Sequence, residues 1–263
     1  MTYFDSHAHY YDARFMAECE EGVEALLDSL FSSTVSGIVN VGTNPENSRT
    51  ALQMAQRYPH MYAAVGIHPT DAQEIADIDG ALYEIEDMLA SGDKKIVAIG
   101  EIGLDYYYEN TDRDKQLYVF RAQLEMAKAR QIPFVVHDRD AHGDVTTVLR
   151  GYAGVPGVLH SYSGSLEMAE ELLRYGFMIS FSGTVTFTNA RRIAAVAAAM
   201  PHDRVMIETD CPYLAPHPVR GTMNHSGNLV YTNRKLAELW NVTEEECARM
   251  TMENACRLFF PAV

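Results

Sequence analysis

The stretch Tyr3-Phe4-Asp5-Ser6-His7-Ala8-His9 decides how the rest of the chain is read. Alternate side chains of an extended strand share a face, so regular pleating places Asp5, His7 and His9 on one side. Two imidazoles at that spacing, beside a carboxylate and where the chain leaves the strand, can grip one metal ion. A lone His-x-His is more often a polar strand end than a ligand pair. Its meaning therefore depends on what stands at the ends of the other strands.

Apolar runs of strand length recur along the sequence, and most of them end on a residue with chemistry. Residues 36–41 (S-G-I-V-N-V) end at Gly42-Thr43, and 61–67 (M-Y-A-A-V-G-I) at His68-Pro69. Residues 95–100 (K-I-V-A-I-G) end at Glu101, 133–136 (P-F-V-V) at His137, and 157–159 (G-V-L) at His160. A seventh run covers 177–181 (F-M-I-S-F), and 204–207 lead to Glu208-Thr209-Asp210.

Between these runs the apolar spacing becomes helical. Residues 19–31 carry Val23, Leu26, Leu27, Leu30 and Phe31 on one face, and 112–130 carry Leu117, Phe120, Leu124 and Ala127. Helices are also expected over 46–58, 81–89, 141–149, 166–174 and 190–200. Two more close the chain, one near 229–240 and one opening at Thr243 with Glu246 at capping-box spacing.

Eight strand-like runs alternating with helices, apolar enough to be covered on both faces, predict a parallel sheet. Their number predicts a single (β/α)8 TIM barrel with a C-terminal helical tail, one domain spanning 1–263. The chain's 263 residues sit close to the barrel norm of about 250. A doubly wound open sheet is the alternative, but its G-x-G-x-x-G turn is absent after the first strand.

Composition narrows the function. Hydrophobic residues make up 47%, enough for a large core. No apolar run approaches the ~18 residues that span a bilayer, so no membrane association is expected. The first ten residues show neither basic lead nor apolar segment, so no secretion signal is expected. Cys19, Cys211, Cys247 and Cys256 form no C-x-x-C pair and read as reduced thiols in a cytoplasmic protein. The net charge of −15 repels polyanions at long range and argues against a protein that coats nucleic acid. It leaves open an enzyme that takes hold of a phosphate locally through metal ions.

Barrel active sites lie at the carboxyl ends of the strands. Those ends carry His7, His9, His68, Glu101, His137, His160 and Asp210, which places five of the ten histidines there. Four imidazoles (His7, His9, His137, His160) and two carboxylates (Glu101, Asp210) suffice for two ions sharing a bridging group. Glu101 is the natural bridge, because it has two oxygens and stands between the two histidine pairs. Asp210 is the expected ligand and general base. Arg139 shares His137's strand face and can pair with a phosphate bidentately. Glu208, one layer below Asp210, is as much at home orienting a ligand as being an ordinary buried acid, and Asp105 is expected to hydrogen-bond a ligating histidine and fix its tautomer. Tyr106, Tyr107 and Tyr108 can stack on bases or simply pack beneath a loop. Cys211 faces away from the site.

The motifs D-S-H-A-H (5–9), G-I-H-P (66–69), G-E-I-G-L-D-Y-Y (100–107), H-D-R-D-A (137–141), L-H-S-Y-S-G (159–164) and E-T-D-C-P-Y-L (208–214) run in order along nearly the whole chain. Together they resemble the TatD family of metal-dependent deoxyribonucleases, within the amidohydrolase-like barrel superfamily. The resemblance implies metal ligation by His7, His9, Glu101, His137, His160 and Asp210, with His68 contacting substrate phosphate. It also implies hydrolysis of DNA, commonly from the 3′ end, with magnesium. The imidazole-rich donor set suits zinc, manganese or iron better than magnesium. Two divalent ions are therefore expected, drawn from Mg, Mn or Zn. Arg220-Gly221 with Asn224 resembles the family's R-G-x-x-N loop, while His225-Ser226-Gly227 departs from the acidic and proline residues often found there.

The expected function is phosphodiester hydrolysis at DNA ends or short single strands, with nucleic acid as substrate rather than scaffold. One alternative is a Glu-bridged barrel hydrolase of esters or amides, such as aminoacyl esters. Relatives of that kind often bridge their metals with a carboxylated lysine, whereas here Lys94 and Lys95 fall at the opposite end of the Glu101 strand. The other alternative, a non-catalytic barrel scaffold, leaves the full ligand set unexplained.

Overall fold

The computed structural model describes residues 1–261. Among the described residues eight strands form one parallel sheet in sequential order: β1 (Tyr3–Ala8), β2 (Val35–Val41), β3 (Met61–Val65), β4 (Ile96–Asp105), β5 (Phe134–Arg139), β6 (Gly157–Leu159), β7 (Met178–Phe181) and β8 (Val205–Ile207). The sheet curls until β8 meets β1. Past the end of β8 the Asp210 N–H donates to the His7 carbonyl at 2.9 Å and the His9 N–H to the Cys211 carbonyl at 2.8 Å. An isolated parallel bridge joins Ala8 to Cys211. The chain is thus a TIM barrel, and its seam is stitched at the carboxyl rim by residues next to the expected ligands.

One buried cluster draws on all eight strands and can only be the barrel interior: Phe4, Val39, Val41, Ala64, Val97, Ala98, Val135, Val158, Met178 and Met206. Ala255, Leu258 and Phe259 join it from the last helix, Glu244–Phe259. The tail is therefore a plug. It closes the amino end of the barrel, with Phe259 stacked on Phe4 at 6.3 Å between ring centroids. Thr243 caps this helix through the reciprocal capping box with Glu246 that the spacing predicts. Outside the barrel, helix Arg113–Arg130 buries Val119, Phe120, Leu124 and Ala127 after an Asp112 cap.

Two irregularities aim the site. Asp5 pairs with Ile38, yet Ala8 pairs with Asn40, so β1 carries one residue more than β2 over this step. Such a bulge reverses which face the following side chains occupy. Phe4 points into the barrel and Asp5 out, and beyond the bulge His7 and His9 point in. Regular pleating, which would put Asp5 beside the two imidazoles, does not hold here. On β4 the same device separates Ile99↔Phe134 from Ile102↔Val136, around Gly100 and Glu101. This strand runs on to Asp105, well past the apolar run that ends at Gly100. Gly103 has φ +141°, and a Cβ there would collide with the His137 carbonyl, so glycine permits the close approach of β4 to β5.

Two short helices, Ala13–Glu18 and Pro69–Glu74, have no counterpart in the sequence reading. Among the described residues all four cysteines are free thiols. No helix among them is long and apolar enough to cross a membrane.

Candidate metal centre

The structure brings His7, His9, Glu101, His137, His160 and Asp210 to one point on the rim. His7 Nε2 lies 3.0 Å from His9 Nε2, 3.3 Å from Glu101 Oε2 and 3.6 Å from Asp210 Oδ1. His9 Nε2 lies 3.2 Å from the same Asp210 oxygen and 3.6 Å from Glu101 Oε2. The other oxygen of Glu101, Oε1, faces His160 Nε2 at 2.8 Å and His137 Nδ1 at 2.9 Å. Each carboxylate oxygen of Glu101 thus addresses a different histidine pair. Asp210 adopts a left-handed backbone, φ +57°, uncommon for a residue other than glycine and often found at functional positions.

Ring orientation follows from the acceptors behind each imidazole. His9 Nδ1 is 2.7 Å from the Val41 carbonyl, which can only accept, so the proton sits on Nδ1 and the Nε2 lone pair faces the cluster. His160 Nδ1 faces Glu208 Oε1 at 3.1 Å, which leaves Nε2 turned inward. Glu208 is itself held by the Ser161 N–H at 2.7 Å. His137 presents Nε2 to Asp105 Oδ2 at 3.1 Å and turns Nδ1 inward. His7 Nδ1 is buried without a hydrogen-bond partner among the described residues. Histidines that donate one ring N–H to an outer acceptor and offer the other nitrogen are oriented as metal ligands are. Three sets of donor atoms are close enough to share a metal ion: His7, His160 and Asp210; His7, His9 and Glu101; His68, Glu101 and His137.

His68 is built differently. It caps the helix Pro69–Glu74, and its Nδ1 accepts from the Thr70 N–H at 3.2 Å. Its proton therefore resides on Nε2, 3.5 Å from Glu101 Oε1. With Nε2 protonated, His68 offers the cluster a donor rather than a lone pair. Burial, against the pull of Glu101, pushes its pKa down to about 3, so the ring stays neutral.

The charges fit a cation. Burial works against ionising Glu101, but His160, His68 and His7 together hold its carboxyl well below the usual range. Asp210 is likewise held down by the imidazoles despite burial. Burial also opposes charging His9, His137 and His160, yet the carboxylates around them raise all three. His7 goes the other way, lowered chiefly by burial. Ionised carboxylates among inward-facing nitrogen lone pairs are the donor set of a divalent ion, and the residues present fit one.

The remaining expected residues divide. Arg139 is exposed, makes no ion pair among the described residues, and lies 3.6 Å over the Tyr107 ring. Tyr106 is structural: its hydroxyl donates to Asp144 at 2.8 Å and Arg113 covers its ring. Tyr107 and Tyr108 are 56% and 51% exposed, with one face of Tyr107 under Arg139. Asp5, by contrast, accepts from the Thr209 N–H (3.0 Å), the Thr209 hydroxyl (2.6 Å) and the Ser226 hydroxyl (2.6 Å), pinning β1 to the loops after β8. Ser226 belongs to the segment that departs from the family pattern, so that departure serves the Asp5 anchor. Thr70 was missed by the sequence reading, although His68-Pro69 shows the signal of a cap followed by proline at the first helical position.

The cluster lies in an open cleft of about 620 Å³, flanked by Thr43, Asn47, Asp71, Tyr108 and Tyr213. A family model described as TatD related DNase matches residues 4–260. An uncharacterized metal-dependent hydrolase, YabD, of Bacillus subtilis is 41% identical, over 97% of this chain and 98% of its own length. An uncharacterized metal-dependent hydrolase, TatD, of Mycobacterium tuberculosis is 35% identical, over 97% of each. The crystal structure of YjjV, a TatD homologue from Escherichia coli K12, superposes with a TM-score of 0.90 at 29% identity, covering 98% of this chain and 97% of that one. Barrel, converging donors and whole-length likeness agree: this chain belongs to the family of TatD-related DNases.

Proposed function

We propose that this protein is a metal-dependent phosphodiesterase that cuts DNA at strand ends or in short single strands, using two divalent ions. The observation that carries the reading is the division of Glu101, one oxygen toward His7 and His9 and the other toward His137 and His160. In this reading His7, His9 and Asp210 would hold one ion and His137 and His160 the other, with Glu101 offering a carboxylate oxygen to each side. Ions bound there supply Lewis acidity and a water of lowered pKa. Asp210, ionised and at the mouth of the cluster, accepts the proton of the attacking water. His68 donates from Nε2 to a phosphoryl oxygen, and Arg139 offers its guanidinium to a neighbouring phosphate.

A carboxylated lysine bridge finds no support. Lys95 donates to the carbonyls of Tyr58, Pro59 and Met61, far down β4 from Glu101. The test is cleavage of labelled single-stranded DNA by the protein and by His7→Ala and Asp210→Ala, with and without chelator. Metal-dependent cleavage lost in both variants is expected. Chelator-resistant cleavage, or hydrolysis of aminoacyl esters without any of DNA, would overturn the reading.

A further inference from the structure

We infer that the substrate strand is held from one side only: its cut end enters the cleft beside β3 and β4, and its body runs across the loops after β7 and β8 to a subsite formed by Arg220 and Phe187. The inference rests on the phosphodiesterase reading and adds a binding site and a direction to it.

Three hollows join along the rim. The cleft over the cluster shares His137, Arg139, His160, Asp210 and Leu214 with a second hollow of about 510 Å³. That hollow shares Phe187 and Leu214 with a third of about 310 Å³, bounded by Arg14, Arg220 and Thr222. A strand lying over the cluster can therefore continue without leaving the surface groove.

The charge along this path is uneven. Beyond the cluster, the first cleft is walled by Asp12, Asp71 and Asp105, while the second hollow carries Asp138, which His142 engages at 2.8 Å. No carboxylate among the described residues lines the third hollow. Arg14 stands there, but Glu18 engages it at 2.8 Å. Arg220 makes no ion pair among the described residues, is exposed, and lies 4.4 Å over the half-buried Phe187 ring. A guanidinium braced on an aromatic ring offers a phosphate its donors and a base a stacking partner. Arg139, likewise free of ion pairs among the described residues, stands where the first cleft meets the second, so it and Arg220 mark a path along which phosphates can gather in a chain of net charge −15. The acid wall does the opposite, since successive phosphates entering it meet like charge. The first cleft therefore takes a terminal nucleotide, and the polymer leaves toward Arg220.

The experiment compares a linear single strand of about a dozen nucleotides, the same strand closed into a circle, and the small diester bis(p-nitrophenyl) phosphate, which is too short to reach Arg220. For Arg220→Ala, the ratio of kcat/KM on the linear strand to kcat/KM on the small diester is expected to fall roughly tenfold, mostly through KM. The salt dependence of strand binding should lose about 0.7 of a unit of slope, one phosphate contact on a single strand. Arg220→Lys, which keeps the charge, should recover part of the ratio. The circle, having no end, should resist cleavage.

An unchanged ratio in Arg220→Ala, or a circle cut as fast as the linear strand, overturns the one-sided groove while leaving the phosphodiesterase reading intact. Failure of the unmodified protein to cleave either the strand or the diester with metal overturns both.

Discussion

Asp105 Oδ2 stands 3.1 Å from Nε2 of His137, and this contact rather than the position of His137 alone decides which ring nitrogen faces Glu101. Asp105 reaches that place because β4 continues past its bulge, with Gly103 allowing it to run close against β5. The same logic recurs behind His160 with Glu208 and behind His9 with the Val41 carbonyl. The rim is thus built in two tiers: donors that meet, and acceptors behind them that fix which atom each donor presents.

The outer tier can be tested without touching a proposed ligand. Asp105→Asn keeps an oxygen for the Tyr107 N–H, which Asp105 Oδ1 now accepts at 3.0 Å, but removes the charge behind His137. Metal affinity at the His137–His160 side should drop by about 10- to 100-fold with the fold intact. Competition with a chromogenic chelator measures this directly. Affinity equal to that of the unmodified protein would show that Asp105 does not tune the ring.

Removing metal should destabilise the protein, and more so at high pH. The buried carboxylates Glu101 and Asp210 lose their counter-charge, so the melting temperature should fall by roughly 5–10 °C for each ion removed if metal is present at about a hundred times its Kd. The sign of the pH effect follows from His9, His137 and His160, where the carboxylates outweigh burial and raise each pKa above its ordinary 6.5. A raised folded-state pKa gives metal-free protein stability that is full below 6.5 and lost as pH climbs through the raised values. Metal binding requires those protons to leave, so it strengthens over the same range. The gap in melting temperature between loaded and chelated protein should therefore widen as pH rises above 6.5. Scanning fluorimetry across a pH series checks this; a constant or narrowing gap would contradict it.

His68 offers a sharper separation of roles. If its Nε2–H donates to a phosphoryl oxygen, His68→Ala should lower kcat by about 100- to 1,000-fold while the bound metal per chain stays constant. Gln places an amide N–H near the position of Nε2, so His68→Gln should recover part of the rate. Elemental analysis beside single-turnover kinetics reads both quantities. Loss of one metal in His68→Ala would instead make it a ligand.

Much of this was legible from sequence because a barrel strand ends where its apolar run ends. His137, His160 and Asp210 follow V-V, V-L and M-I almost directly, so position along the chain translates into position at the rim. What escaped depended on backbone irregularity. The extra residue in β1 leaves no mark in Asp5-Ser6-His7, since it arises from how β1 pairs with β2. The extension of β4 to Asp105 escaped because Gly100 and Gly103 look like breakers, whereas here they permit a bulge and a close approach. The plug function of the last helix was likewise hidden, because the spacing of Ala255, Leu258 and Phe259 shows an apolar face but not what covers it.

Asp5 is where the regular-strand reading and the structure disagree most, which makes it the most informative substitution. Asp5 is fully buried, and burial lifts its pKa to about 7 even though the hydroxyls of Ser226 and Thr209 and the N–H groups of Thr209 and His7 pull it back. In Asp5→Ala three of these donors, the two hydroxyls and the Thr209 N–H, lose a close acceptor inside the protein. Each stranded buried donor costs about 1–3 kcal/mol, so an overall loss of roughly 3 kcal/mol or more is expected. Metal stoichiometry should hold, because Asp5 points to the seam between β1 and the loops after β8 rather than into the cluster. Asp5→Asn, which can still accept through its amide oxygen, should cost less. Urea unfolding of the metal-loaded variants, paired with elemental analysis of the folded fraction, measures both effects. A variant that stays as stable as the parent but loses a metal would restore Asp5 to the side of His7 and His9 and remove the bulge from the account of the site.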